Sequence, residues 1–174
     1  MPTSIPVYLD SLATYEKEPL KEAFGACFSV MDHSSLRAAN VFLKPNLLTG
    51  LGNSSACTHP HFLLALVEYL ADHGARVSIG DSPAFGSASA VLARLGIIDN
   101  LRKSNVRIVD LRKVVKQRLS CGLDIGLAAE PLACDLFINV PKVKAHSQMY
   151  VTLATKYLFG IVQGMRKSML HMRH

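Results

Sequence analysis

The sequence predicts an α/β domain of three layers around a mainly parallel central sheet. Short apolar runs alternate with helical patterns along most of the chain. The stretch from Val41 to Ile79 reads strand, apolar helix, strand, which is the order of a βαβ unit. The chain has 174 residues, 49% hydrophobic and 18% charged, which is enough for one core and excludes general disorder. A single α/β domain over residues 1–174 is expected.

The elements follow in order. Residues Ser4 to Leu9 read as a short first strand. Glu16 to Val30 reads as an amphipathic helix with acids early, which suits the helix dipole. Val41 to Leu43 is a strand expected to stop at Lys44-Pro45-Asn46, since proline ends a ladder. Leu47 to Thr58, rich in Gly, Asn and Ser, reads as a loop. Pro60 suits the first turn of a buried helix that ends at Gly74. Arg76 to Ile79 is a strand broken by Gly80-Asp81-Ser82-Pro83. Helices are expected over Ser87 to Leu95 and Ile97 to Lys103. Val106 to Val109 is a strand with a basic continuation to Leu119, and Cys121 to Ala129 is ambiguous. Asp135 to Val140 is an apolar strand, and a last helical pattern covers Thr152 to Val162.

Charge is unevenly placed. The chain holds 19 basic and 13 acidic residues, a net +6. No acid follows Asp135, whereas Lys142, Lys144, Lys156, Arg166, Lys167 and Arg173 do. A local positive field favours an anionic ligand or partner. Cys27, Cys57, Cys121 and Cys134 form no C-x-x-C pair, so no iron–sulfur or zinc motif is present and reduced thiols are expected. No basic leader precedes an apolar run at the N-terminus, and no apolar run reaches the roughly 18 residues a span requires. A cytoplasmic protein with no membrane partner is expected.

Three apolar strands end in polar motifs: VFLKPN, VSIGDSP and LFINVPKVKAH. In open α/β sheets, ligands bind beyond the carboxyl ends of the strands. If these strands are parallel, Lys44, Asn46, Asp81, Ser82, Asn139, Lys142, Lys144 and His146 line one cleft. Lys142, Lys144 and His146 recur every second residue and share a face if extended. A phosphate or carboxylate between them would relieve their repulsion, and a solvated basic loop is the plain alternative. Asp81 and Ser82 could serve a ligand or simply cap the next helix. Cys57, His59 and His61 alternate like metal ligands, but Pro60 starts a helix between the histidines, so no metal site is expected. Ser82, His146 and Asp81 make a triad only on paper, because the G-x-S-x-G elbow is absent.

The order LKPNLL, THP, GDSPAFGS, INVPKVKAH, LATKYLFGIVQGMRK resembles an uncharacterised conserved family, domain of unknown function three-six-two (DUF362). The resemblance runs from Val41 to His171 and adds Lys156, Gly160 and Gly164 as motif positions. Tyr157 stands where relatives often carry Asn. The resemblance implies that relatives continue beyond the equivalent of His174, so the chain is expected to be the N-terminal part of a longer family domain. Many relatives carry an iron–sulfur ferredoxin-like segment, absent from this sequence.

Three readings stay open. The first is a protein that binds a small phosphate- or carboxylate-bearing anion at the strand ends, as part of an enzyme or alone. Lys44, Asn46, Ser82, Asn139, Lys142, Lys144 and Lys156 would hold the ligand, and Asp81 with His146 would carry protons. The second is an accessory domain that partners an iron–sulfur redox protein or segment. The third is nucleic-acid binding through the basic run 102–118, against which stands its lack of interleaved aromatics. No cofactor is named by the sequence.

Overall fold

The computed structural model describes residues 5–30, 36–48, 54–83, 86–146 and 150–162. Its elements in chain order are α1 (Lys17–Val30), β1 (Asn40–Pro45), α2 (Pro60–Asp72), β2 (Arg76–Asp81), α3 (Ala88–Arg94), α4 (Ile98–Lys103), β3 (Arg107–Asp110), β4 (Val114–Arg118), β5 (Asp124–Ala128), α5 (Ala129–Leu132), β6 (Leu136–Val140), β7 (Lys144–His146), β8 (Tyr150–Thr152) and α6 (Ala154–Tyr157). Four strands form the central sheet in the order β3-β2-β1-β6, and every pairing is parallel. The domain is a three-layer α/β fold.

The pleat sorts the core into two layers. Val41, Leu43, Val77 and Ile79 pack on one side with Leu63, Leu66 and Leu70 of α2, Leu20 and Phe24 of α1, and Val91 and Leu92 of α3. Phe42 and Val109 face the other side with Ala128, and Phe137 and Ile161 pack against them. The α2 helix starts at Pro60 with His59 as its N-cap and ends before Gly74, whose φ of +79° suits the residue that terminates a helix. Ser87, not Asp81 or Ser82, caps α3, by accepting from Ala90 N at 3.1 Å.

Several expectations are corrected. Residues 5–9 form no strand, and Ile5, Val7 and Leu9 are exposed. Alternation alone makes no strand: these apolar side chains have no core face to pack on, which is what holds a strand in register. β1 itself runs through Lys44 and Pro45, which stand opposite Asn139 and Val140. At the last position of a strand the missing proline N–H removes little of the ladder. The basic continuation after β3 is a separate antiparallel hairpin, β4 with β5. Thr152 belongs to β8 instead of a helix. The helical pattern after it is α6 followed by a 3-10 turn, Leu158–Ile161. Gly164, Arg166, Lys167 and Arg173 lie outside the described residues. Among the described residues, no helix is long and apolar enough to cross a membrane.

Candidate functional site

Parallel pairing puts the carboxyl ends of β1, β2 and β6 at one edge of the sheet, so Lys44, Asp81 and Lys142 meet there. Lys44 and Asp81 form a buried ion pair: Nζ to Oδ1 is 2.8 Å, with side-chain exposures of 1% and 6%. Lys44 Nζ also donates to Pro45 O at 3.2 Å. Asp81 Oδ2 accepts from Leu47 N, and Oδ1 accepts from Ser82 N, both at 2.9 Å. Both oxygens of this carboxylate are engaged. Gly160 lies directly over the pair, and a Cβ built on it would overlap Lys44 Cε and Nζ and Asp81 Oδ1. Only glycine permits that approach.

Asn46 and Thr58 fasten the loop between β1 and α2. Asn46 N donates to Thr58 Oγ1 at 2.8 Å, Thr58 N donates to Asn46 O at 3.0 Å, and Thr58 Oγ1 donates to Val140 O at 2.7 Å. Asn46 Nδ2 donates to Ala56 O. Thr58 thus ties the end of β1 to the end of β6. In the sequence Thr58 reads as the end of a polar loop, and nothing in the one-dimensional pattern signals its bridge to β6.

The remaining cations gather around Cys57. Lys144 Nζ donates to Ala56 O at 3.2 Å. Burial, above all, holds the Lys144 ammonium below its usual range; Lys156 and Lys142 push the same way, while Cys57 and Asp81 oppose it. Lys156 Nζ is buried with no hydrogen-bond partner, and burial lowers its pKa as well. Asn139 Nδ2 donates to Ala154 O at 2.9 Å, while Asn139 Oδ1 is buried without a partner. His146 enters through its β7 backbone alone, opposite Tyr150; its side chain lies outside the described residues.

Two hollows adjoin these residues. The larger, about 900 Å³, lies between α1, the segment from Tyr8 to Tyr15, and the outer strand β6. The smaller, about 240 Å³, is lined by Ser55, Cys57, His59, Pro60, Arg94, Leu95 and Lys142. His59 and Lys142 line both. The His59 ring stacks on Tyr15 with centroids 3.7 Å apart, and its Nδ1 is buried without a partner. Burial first, then the neighbouring His61 and Lys142, lower the His59 pKa. Arg94 and His59 as walls of such a hollow were missed by sequence reasoning. Their convergence depends on where α3 packs, which no local pattern encodes. Among the described residues, no group of three or more His, Cys, Asp or Glu is placed to hold a metal ion.

The basic run is surface-exposed and partly neutralised. Arg102 meets Asp99 at 3.4 Å and Arg118 meets Asp124 at 3.2 Å.

Comparison with known proteins adds the following. A family profile described as Domain of unknown function (DUF362) matches residues 41–174. The chain is 37% identical over 134 residues to the Thylakoid-associated protein sll1697 of Synechocystis sp.. That match covers 76% of this chain and 42% of the relative, so the chain spans under half of that protein's length. No solved structure matches.

Proposed function

We propose, from the premise that the chain belongs to the DUF362 family, that its strand-end cleft binds a small phosphate- or carboxylate-bearing anion. One observation carries this reading. Asp81, at the end of β2, is committed to Lys44, and Asp110, at the end of β3, accepts from Ala88 N, while Lys156 Nζ is buried with no hydrogen-bond partner and, like Lys142, acts on Lys144. A buried ammonium without a hydrogen bond is costly, and an anion relieves that cost. Lys142, Lys144 and Lys156 supply the positive field in this reading. Asn46 and Ser82 shape the backbone around it, and Asn139 offers a polar edge. Lys44 and Asp81 act as a fixed internal pair, and His146 stands at the far end of β7.

The test is a thermal melt with and without inorganic phosphate, sulfate or citrate at constant ionic strength. A bound anion at a hundredfold excess over its Kd stabilises the fold by about 2.7 kcal/mol. The double variant Lys142→Met and Lys144→Met keeps much of the apolar stem contact and loses the gain. An equal shift in both proteins would remove these lysines from the site. The reading takes the chain as cytoplasmic, supported by four free thiols. The printed name of the cyanobacterial relative makes membrane co-sedimentation a useful companion measurement.

A further inference from the structure

We infer that the ligand is an amphipathic anion, with its charged head in the smaller hollow and an apolar body in the larger one. This rests on the anion reading above and extends it to a ligand class. The larger hollow has the volume of a site for a drug-sized molecule. Its wall is largely aliphatic and aromatic, with Leu20, Phe24, Phe28, Phe62, Leu66 and Ile138 facing it. Ligand sites are commonly concave spaces of this size with mostly apolar walls and a few placed polar groups.

The smaller hollow has the opposite chemistry. Arg94 and Lys142 bring two cations to it, Ser55 lies on its wall, and no acid lines it among the described residues. Its 240 Å³ is enough for a phosphate or carboxylate head with bound water. The two spaces share His59 and Lys142. A ligand that crosses this boundary passes His59 and Lys142, the residues common to both walls. An inorganic anion would use only the small hollow, whereas an amphipathic one uses both.

Isothermal titration of the full chain with inorganic phosphate, decyl phosphate and decanol tests this. Decyl phosphate, kept below its critical micelle concentration, is expected to bind at least about a hundredfold more tightly than phosphate, a modest part of what burying an alkyl chain supplies. Ala23→Trp fills the larger hollow and should erase that gain while leaving phosphate affinity unchanged. Cys27→Phe serves as a second filler if Ala23→Trp does not fold by circular dichroism. Arg94→Met with Lys142→Met should weaken both anions and leave decanol unaffected. Phosphate binding with no gain from the alkyl chain overturns this inference and leaves the anion reading standing. Failure of both anions to bind overturns both. Co-sedimentation with phosphatidylcholine vesicles with and without phosphatidic acid names the source: enrichment on the phosphatidic acid vesicles supports a bilayer lipid, and its absence supports a soluble amphiphile of the same chemistry.

Discussion

Lys44 and Asp81 offer a quantitative test of what holds the strand ends together. Asp81→Asn is nearly isosteric and keeps oxygen acceptance for Leu47 N, but removes the charge opposite Lys44. The Lys44 side chain is 1% exposed, so its ammonium would stay buried without the carboxylate it faces. Breaking one half of a buried pair costs about 3–5 kcal/mol, a large share of a typical total of about 5–15 kcal/mol. Lys44→Met leaves the carboxylate with its two backbone N–H donors, from Leu47 and Ser82. Charge-assisted bonds of that kind are worth about 1.5–3 kcal/mol each, so the cost falls towards the lower end of the same range. The double variant removes both charges and is expected within about 1–2 kcal/mol of the wild type, since apolar or neutral replacement of a buried pair is often close to neutral. The coupling energy implied by these costs is then about 4–7 kcal/mol, above the range of about 0.5–3 kcal/mol usual for contacting residues. Urea unfolding of the four proteins in phosphate-free buffer, with the slope m held in common, measures it. Additive single losses would refute the pairing and leave the two side chains as independent buried groups.

Further outcomes follow from the same geometry. Gly160→Ala places a methyl group onto the ion pair and should destabilise by about 1–3 kcal/mol, read from the same urea series. Thr58→Val keeps the shape and loses the bonds to Val140 O and Asn46 N, at a cost of about 1–3 kcal/mol. Lys156→Met should raise the melting temperature in anion-free buffer and shrink the shift that phosphate produces, because it removes a buried unpartnered ammonium. His59 is held below its unfolded value of about 6.5, so the folded state binds fewer protons than the unfolded state. Its contribution is fully present above that value and is lost as pH falls through it towards the lower folded pKa. Stability against pH should therefore be flatter across that window in His59→Gln, and an unchanged slope would exclude His59 as a source.

Much of the architecture is legible in the sequence because it is local. The apolar runs at Val41, Val77 and Leu136 and the proline and glycine that bound α2 state their own structure. The convergence of Lys44, Asp81 and Lys142 follows once those strands are taken as parallel. What failed was nonlocal. Residues 5–9 alternate as a strand should, yet Ile5, Val7 and Leu9 are exposed and reach no core that would fix them against a sheet edge. Thr152 to Val162 carries a helical pattern, but its chain is divided between β8, α6 and a turn that brings Gly160 over the ion pair. The Lys44–Asp81 ion pair is equally nonlocal, joining side chains of β1 and β2 that lie far apart in the sequence. Arg94 and His59 line the small hollow because the end of α3 comes beside the start of α2 in the fold, which no spacing announces.

The strand order has a consequence for how the chain reaches its folded state. β1 lies in the interior of the sheet, but its second neighbour is made late: the contact of Asn40 with Asp135 spans 95 residues. During synthesis β1 can pair with β2 long before β6 leaves the ribosome. Until then Val41, Phe42 and Leu43 carry one unpaired ladder, and a strand of that composition is a template for another chain. Contacts this distant in sequence slow folding. The arrival of β6 therefore covers the free ladder of β1 and brings Lys142 to the same sheet edge as Lys44 and Asp81 in one event.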